Sequence, residues 1–293
     1  MYGEASALAH GAATIVNAMA TKKGAAFGVD LYTKVQVKLT DEPRVIETEI
    51  LSDKTESPVL IQETVAVVLK HFNLEKEFGA NVKTWSNIPI ARGLKSSSTV
   101  ANAVVLATLG ALGESLEDLE IIRLGVLSAF EAKVTITGAF DDACASYFGG
   151  LVVTDNSNCK LVKQETLTDD DYVILFQVPP KKVYTVNVDT SKLSVIKSQV
   201  EAAYNMALNG LHWEALTLNG KCYSTAFGFN TKVATDALVA GARAAGLCGK
   251  GPATTAIVSK DCVEHVRAVW QNFDGEVIQT SLNREKAKVF CNG

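Results

Sequence analysis

The sequence predicts an α+β protein of two domains, and three observations lead to that prediction. A strand with alternating apolar residues is predicted at 34–39, and amphipathic helical patterns follow it through the first half of the chain. A polar stretch at 163–171 then separates this half from a second run of elements. That run has the order strand, helices, strand, helix and strand, which suggests a ferredoxin-like sandwich. We therefore expect one domain over residues 1–165 and another over 166–293.

Hydrophobic periodicity predicts the individual elements of the first half. Residues 3–21 are rich in Ala, Gly and Ser, which allows close approach either to a ligand or to a packed helix. Pro58 is suited to open a helix because its missing N–H would have no partner in the first turn. The predicted strands are 34–39, its neighbour 45–50, and 82–86, and the predicted helices begin at Pro58, near Ser96 and at Glu117, the last one ending at Ala132.

The second half is predicted from short apolar runs bounded by turn residues. Gly149 and Gly150 begin a hairpin whose turn is the polar segment 155–158. The remaining predictions are strands at 172–178, 254–258 and 277–282 and helices at 191–208, 211–219, 231–245 and 262–272. We find no internal repeat in either half.

Composition excludes several classes of function. The 293 residues are 47% hydrophobic, and a formal charge of −4 provides no basic surface for nucleic acid or an anionic membrane. No apolar run reaches the roughly 18 residues of a membrane span, and the N-terminus lacks the features of a signal peptide. The six scattered cysteines and four dispersed histidines form no metal or disulfide pattern, which favours free thiols in a reducing cytoplasm. We expect a cytoplasmic protein, and both a monomer and a homodimer remain open.

The region 87–112 contains the strongest functional signal. Pro89 and Gly93 prevent regular structure in its first part, whereas apolar residues at helical spacing fill its second part. Three serines and a threonine lie between the two parts, where the helix begins. Because a helix N-terminus presents unpaired N–H groups and the positive end of the dipole, this position suits a phosphate. One serine is enough to cap a helix, so the repeated hydroxyls favour phosphate binding.

Two well-known glycine loops do not account for this region. A Walker A loop requires Gly-Lys followed by Ser or Thr, but Leu94 separates Gly93 from Lys95. The spacing Gly-x-Gly-x-x-Gly of dinucleotide-binding folds is also missing from the region. The sequence therefore indicates a different class of phosphate loop.

A second cluster of polar residues lies at 131–150. Glu131 is in the last turn of a predicted helix, where an acidic residue is unfavourable unless a cation or a partner is near. Asp141 and Asp142 begin a short helical segment, so they are suited to cap it, to act as a general base or to bind a metal ion. Beside a phosphate loop, carboxylates favour a magnesium–nucleotide site, because Mg²⁺ binds one or two carboxylates together with phosphate oxygens.

Several segments resemble the GHMP kinases, the superfamily of galactokinase, homoserine kinase and mevalonate kinase. The pattern Pro-x-x-x-Gly-Leu-x-Ser-Ser at 89–97 is similar to their second motif, and the glycine-rich residues 246–253 are similar to their third. Within the superfamily, the segments 23–30, 93–98 and 137–150 resemble the archaeal-type shikimate kinases most closely. The resemblance covers essentially the whole chain.

This resemblance implies a GHMP kinase fold, with an N-terminal domain like domain 2 of ribosomal protein S5, a ferredoxin-like C-terminal domain and the active site between them. It also implies ATP-dependent phosphorylation of the 3-hydroxyl of shikimate, a step of chorismate and aromatic amino-acid biosynthesis. ATP and Mg²⁺ are the implied cofactors, and shikimate is the implied small-molecule partner.

The matched motifs assign roles to particular residues. Ser97 matches the serine that helps to hold Mg²⁺ in mevalonate kinase-like members, and Glu131 matches the acidic ligand. Asp141 matches the catalytic base, but its spacing from Gly138 differs by one residue and Asp142 remains a rival. The ATP site is predicted to contain Pro89, Ile90, Ala91, Arg92, Gly93, Leu94, Lys95, Ser96, Ser97, Ser98, Thr99, Gly249 and Gly251.

The sequence also departs from the superfamily pattern. The first motif is missing, so its lysine is unassigned, and Lys22 or Lys23 is a candidate replacement. Lys95 occupies a position usually held by glycine, and its charge is suited to a phosphate or to the substrate carboxylate, for which Lys23 and Arg92 are rivals. We therefore predict catalytic roles for Asp141, Asp142 and Lys95 and substrate contacts for Lys23, Thr137, Gly138 and Asp141.

Other interpretations remain open at this stage. A GHMP kinase for homoserine, mevalonate or pantoate would have the same phosphate loop, because that loop contacts only ATP. A nucleotide-binding sensor without catalysis would not require Ser97, Glu131 and Asp141 together. A structural protein would not require three glycine motifs in the order of the kinases.

Overall fold

Two β-sheets with helices packed on them make up the part of the chain that the computed structural model describes, residues 3–168, 171–183 and 191–291. The strands are β1 (Glu4–Val16), β2 (Lys23–Thr40), β3 (Ile46–Ile50), β4 (Gly79–Ser86), β5 (Leu151–Asp155), β6 (Lys160–Glu165), β7 (Tyr172–Val178), β8 (Ala242–Leu247), β9 (Thr254–Ser259), β10 (Glu276–Thr280) and β11 (Lys288–Cys291). The helices are α1 (Val59–His71), α2 (Ser96–Leu112), α3 (Asp118–Glu131), α4 (Phe140–Phe148), α5 (Leu193–Leu208), α6 (His212–Phe227), α7 (Lys232–Val239) and α8 (Val263–Trp270).

The first sheet belongs mainly to the N-terminal half and the second to the C-terminal half. In the first sheet the order is β11-β1-β2-β4-β3, and the hairpin β5–β6 pairs with β2. The second sheet has the order β10-β7-β9-β8, with all neighbours antiparallel. Numbered along the chain within this half, the strand order is 4-1-3-2. Helices α5, α6 and α7 lie between the first and second strands of the chain, and α8 lies between the third and fourth, as in a ferredoxin-like sandwich. The prediction for the second half is therefore confirmed.

Helix α2 lies directly on β1, and small residues make this contact close. A Cβ atom on Gly110 would lie 2.8 Å from the Cβ atom of Ala5, and β1 buries its alanines fully. Helices α1, α3 and α4 pack around the rest of α2, so the apolar stripe predicted for it extends over nearly the whole helix surface. The small residues of β1 thus serve helix packing, which fixes the position of the N-terminus of α2.

Three predicted elements of the chain need correction. The segment 45–50 was predicted beside the strand 34–39, but β3 pairs in parallel with β4, which separates it from β2. The helix predicted at 231–245 ends at Val239, and Gly241, with a φ of 101°, precedes strand β8. The cause of the second error is composition, because the run of Ala and Gly in β8 has no alternating pattern. Helix α6 also continues to Phe227, beyond the predicted end at 219.

Strand β11 was not predicted, and it returns the end of the chain to the first sheet. It pairs antiparallel with β1, and Leu282 bridges to Val29 before it. The division at 165/166 stays a prediction, and residues 169–170 of the predicted polar boundary lie outside the described residues. In the described ranges, no helix combines the length and the apolar composition that a membrane span requires.

Candidate active site

A cavity of about 550 Å³ lies where the first turn of α2, the start of α4 and the turn between β8 and β9 come together. Ser96, Ser97 and Ser98 line it at the helix N-terminus. Asp141 and Asp142 line it from α4. The hydroxyls predicted to bind phosphate and the carboxylates predicted to act in catalysis therefore share one cavity.

The loop before α2 depends on Gly93 for its conformation. The φ of Gly93 is 87°, and a Cβ atom there would lie 2.3 Å from the carbonyl oxygen of Cys248. Lys95, at the N-cap of α2, also has a positive φ, 63°. The backbone N–H of Ala253 donates to the carbonyl oxygen of Arg92 at 3.0 Å. The second and third predicted motifs are thus in direct contact.

The residues predicted for the ATP site fall into two groups. Seven of them line the cavity: Ile90, Ala91, Gly93, Lys95, Ser96, Ser97 and Ser98. The others are outside the lining: Pro89, Arg92, Leu94, Thr99, Gly249 and Gly251. Leu94 is buried in the apolar core, and the Thr99 hydroxyl donates to the carbonyl oxygens of Lys95 and His10 at 3.1 and 3.3 Å. The side chains of Leu94 and Thr99 therefore hold the loop in place.

Lys95 and Asp142 form a buried ion pair in the wall of the cavity. The Nζ atom of Lys95 lies 3.0 Å from Oδ2 of Asp142, and the two side chains are 10% and 12% exposed. Burial by itself lowers the pKa of Lys95, but the charge of Asp142, with smaller contributions from Cys248 and Asp141, outweighs burial and raises it. Lys95 therefore carries a fixed positive charge beside the N-terminus of α2.

Asp141 lies next to this ion pair and is only 3% exposed. Its Oδ1 atom accepts a hydrogen bond from Nδ2 of Asn156 at 2.8 Å. Burial raises the pKa of Asp141 to about 7, and repulsion by Asp142 acts in the same direction, whereas Lys95 and Asn156 act against it. A carboxyl group that titrates near neutral pH is suited to take up a proton from a substrate.

The remaining predicted residues are divided between the cavity and the surface. Thr137 and Gly138 line the cavity beside Asp141, whereas Lys23 and Glu131 are outside the lining. The ammonium group of Lys23 is 2.6 Å from Oε1 of Glu201. Glu131 is exposed at the end of α3. The structure therefore brings the predicted carboxylates together with the phosphate loop, whereas Lys23 and Glu131 are not part of the cavity lining.

Sequence comparison relates the chain to known enzymes. The shikimate kinase of Methanosarcina mazei is 46% identical over 289 residues, which cover 98% of this chain and 97% of that protein. This chain belongs to the archaeal shikimate kinase family. The shikimate kinase of Pyrococcus abyssi is 40% identical over 277 residues, which cover 94% of this chain and 98% of that protein. The family model for the N-terminal domain of GHMP kinases matches residues 60–150, which contain the phosphate loop and both aspartates.

Solved structures relate this shikimate kinase family member to the wider superfamily. The mevalonate kinase of Methanococcus jannaschii superposes with a TM-score of 0.77 at 15% identity, over 95% of this chain and 98% of that one. A homoserine kinase from Cytophaga hutchinsonii gives a TM-score of 0.75 at 18% identity, over 99% and 98% of the two chains. These likenesses concern the fold, and they confirm the GHMP kinase fold that the motifs implied.

Two residues of the shikimate kinase site were missed from the sequence. Lys250 lines the cavity, and its pKa is lowered to about 8, first by burial and then by repulsion from Lys95. It lies within the third motif, where only the glycines were singled out. Asn156 was interpreted as part of a polar hairpin turn, yet its side chain points inward to Asp141. No local pattern marks Asn156, because the turn residues beside it are equally polar.

Proposed function

We propose that this chain transfers the γ-phosphoryl group of ATP to the 3-hydroxyl of shikimate, giving shikimate 3-phosphate for chorismate and aromatic amino-acid biosynthesis. The family to which the chain belongs supports the activity. The observation that carries the assignment of the site is the cluster of Lys95, Asp142 and Asp141 beside the N-terminus of α2 in one cavity. Phosphoryl transfer needs this combination of positioned charge and an orienting carboxylate.

The phosphates are assigned to the N-terminus of α2. Free backbone N–H groups, the helix dipole and the hydroxyls of Ser96, Ser97 and Ser98 all favour negative charge at this position. Lys95 adds a full positive charge at the N-cap, and Lys250 adds an ammonium group from the facing turn. These groups offset the charge that the phosphates bring into the cavity.

Asp141 is assigned as the residue that orients and deprotonates the acceptor hydroxyl. A general base works best when its pKa lies near the operating pH, and burial brings the pKa of Asp141 to about 7. Asp142, by contrast, is paired with Lys95. Its Oδ1 atom is buried without a hydrogen-bond partner among the described residues, so it is available to accept a hydrogen bond from the substrate.

A magnesium ion fits this cavity as a companion of the nucleotide. In the ranges that the structure describes, no group of three or more His, Cys, Asp or Glu side chains is arranged to hold a metal ion. Mg²⁺ in kinases takes most ligands from phosphate oxygens and water, and the Ser97 hydroxyl lines the cavity where such an ion would bind. Because Glu131 is outside the lining, we assign the protein ligand to Ser97. Bound Mg²⁺ supplies neutralisation of phosphate charge.

Among the three cations considered for the substrate carboxylate, Lys95 is favoured. It lines the cavity together with Thr137 and Gly138, whereas Lys23 and Arg92 are both outside the lining. We place the reaction in the cytoplasm, because free thiols are expected in a reducing compartment, and five of the described cysteines are free: Cys144, Cys159, Cys222, Cys248 and Cys262.

The test is release of ADP by the purified protein with ATP and Mg²⁺, with shikimate, homoserine, mevalonate or pantoate as acceptor. We expect turnover with shikimate and background rates with the other three alcohols. Turnover on another alcohol would retain the phosphate site and refute the substrate. ATP binding without turnover on any acceptor would indicate a sensor and refute the enzymatic proposal.

A further inference from the structure

The carboxylate of Asp141 is held by a side chain from outside its own helix. Asn156, in the turn of the β5–β6 hairpin, donates from Nδ2 to Oδ1 of Asp141 at 2.8 Å. Asn156 is 6% exposed, and Asp141 is 3% exposed. A hydrogen bond between two buried side chains fixes orientation more firmly than one at the surface, because water does not compete for either partner.

Asn156 is itself held by two further hydrogen bonds. The hydroxyl of Thr154, which is fully buried, donates to Oδ1 of Asn156 at 2.7 Å. The backbone N–H of Asn156 donates to the carbonyl oxygen of Lys22 at 2.8 Å. Because Oδ1 is occupied by the hydroxyl donor, the amide nitrogen faces Asp141. The hydrogen bonds that link Thr154, Asn156 and Asp141 therefore have a defined direction, from hydroxyl to amide to carboxylate.

Strand β2 packs against the carboxylate of Asp141 through Gly24. A Cβ atom on Gly24 would lie 2.4 Å from Oδ2 of Asp141, so only glycine leaves room for the carboxylate in its present position. Gly24 lies in β2, and Asn156 directly follows β5, the strand that pairs with β2. Two elements outside α4 thus determine where the carboxylate lies.

The hairpin turn does not need the side chain of Asn156 for its own conformation. Asn side chains in turns usually bond to nearby backbone groups. In this turn Asp155 has that role, because its carboxylate accepts from the backbone N–H of Ser157 at 2.9 Å and from Nδ2 of Asn158 at 2.8 Å. The amide of Asn156 points inward and donates its hydrogen bond to Asp141 instead.

We propose that Asn156 is a positioning residue for phosphoryl transfer: it orients the Asp141 carboxylate toward the acceptor hydroxyl and stabilises its ionised form. The inference rests on the proposed role of Asp141 as the base. A donor to the charged form of a carboxyl group lowers its pKa, and this opposes the effect of burial on Asp141. The other titratable groups that act on Asp141 or are acted on by it are Asp142, Cys144, Lys95 and Tyr223.

The decisive experiment compares the pH dependence of kcat for the intact protein and for Asn156→Ala. A hydrogen bond to a charged group is worth enough to shift a pKa by about one unit, so we expect the acidic limb of the profile to move up by about one unit and kcat at pH 7 to fall about fivefold. The rate should recover as the pH is raised. The KM for ATP should change by less than about twofold, because Asn156 does not line the cavity.

Asn158→Ala is the matched control, since Asn158 lies in the same turn and is exposed. It should leave the pH profile unchanged. Thr154→Val retains Asn156 but removes the hydroxyl that orients its amide, so it should move the acidic limb in the same direction by a smaller amount. It also provides a second test if Asn156→Ala does not fold, which circular dichroism and the thermal midpoint would reveal.

A double variant separates this inference from the proposed function. If Asn156 acts through Asp141, adding Asn156→Ala to Asp141→Asn should cause no further loss of kcat. Two results would overturn the positioning role. One is a further loss of kcat in the double variant as large as the loss that Asn156→Ala causes alone, and the other is an unshifted pH profile in both Asn156→Ala and Thr154→Val. Near-normal turnover in Asp141→Asn alone would instead overturn the assignment of the base.

Discussion

Lys95, Asp141 and Asp142 lie together in the wall of the cavity, and the charge of Asp142 contributes to the raised pKa of both Lys95 and Asp141. Removing ionised groups from water is costly, so such a cluster persists only where attraction and hydrogen bonds offset the lost hydration. Lys95 and Asp142 form the ion pair, whereas Asp141 is the group whose pKa burial raises to about 7. The three residues therefore have distinct chemical roles although two are neighbours in the chain.

The first prediction concerns the base. Asp141→Asn keeps the size of the side chain but cannot accept the substrate proton, so kcat should fall by about 10²-fold or more. The KM for ATP should remain near its original value, because the phosphates are assigned to the N-terminus of α2. Steady-state ADP release measures both constants, and Asp261→Asn, at an exposed carboxylate, is the control. A near-normal kcat would transfer the role to Asp142.

The second prediction concerns stability and pH. The folded state raises the pKa of Asp141 to about 7, so folding favours its protonated form. The stability from this group is present below the unfolded pKa of about 4 and is lost as the pH rises to about 7. Asp141→Asn, which carries no charge, should therefore become more stable than the natural protein as the pH increases through this window. Thermal midpoints measured from pH 5 to pH 8 test this, and a difference that shrinks with increasing pH would contradict it.

At the scale of elements, the N-terminus of α2 is the central feature. Its position is fixed because the helix is buried against β1 and three other helices, and the loop before it packs on the third glycine motif. Gly93 makes this contact possible, since its Cα lies against the carbonyl oxygen of Cys248. The proposed phosphate site is therefore built by contact between the two halves of the chain.

The third prediction tests this contact with two glycines. Gly93 and Gly113 both have a positive φ, 87° and 75°, but a Cβ atom would collide with Cys248 only at Gly93, and it would meet nothing within 4 Å at Gly113. Both Gly→Ala variants should lose stability by about 1 kcal/mol from backbone strain. Gly93→Ala should in addition raise the KM for ATP about tenfold or more, because the loop must shift. Equal KM values for the two variants would show that the close contact is unimportant.

At the scale of the whole molecule, a short segment after β7 joins the two halves at the cavity. The backbone N–H of Val183 donates to the carbonyl oxygen of Ala91 at 2.8 Å, and the Arg92 guanidinium donates to the Pro180 carbonyl oxygen. Lys182 pairs with Asp53 at 2.9 Å and with Glu56, which lines the cavity. These contacts tie the C-terminal half to the phosphate loop and to the segment before α1.

The fourth prediction concerns this connection. Lys182→Ala leaves the carboxylates of Asp53 and Glu56 without their shared cation, and the negative charge of Glu56 then faces the nucleotide. Because partly exposed ion pairs are weak, the KM for ATP should rise by less than about tenfold. The kcat should be unchanged, since Lys182 is outside the cavity lining that contains the carboxylate cluster. Lys181→Ala, at the exposed neighbouring lysine, is the control, and an equal KM for both variants would refute the role of the ion pairs.

The sequence alone determined the features that depend on local pattern. The alternation in β2, the start of α2 at the repeated serines and the strand Tyr172–Val178 follow from periodicity and turn chemistry, and the structure has them as predicted. The motifs around Gly93, Asp141 and Gly249 likewise placed the chain in its superfamily. These signals are local because a strand, a helix N-terminus or a glycine turn is specified by residues that are adjacent in the chain.

Only the tertiary structure decided which of these residues meet. The pairing of β3 with β4, the return of β11 to β1, and the contacts of Lys95 with Asp142 and of Asn156 with Asp141 join residues that no local pattern relates. The same holds for Lys23 and Glu131, which match expected roles in sequence yet lie outside the cavity lining. The reason is physical: burial and charge pairing depend on distances across the fold, and these are set by how the sheets and helices pack rather than by neighbours in the chain.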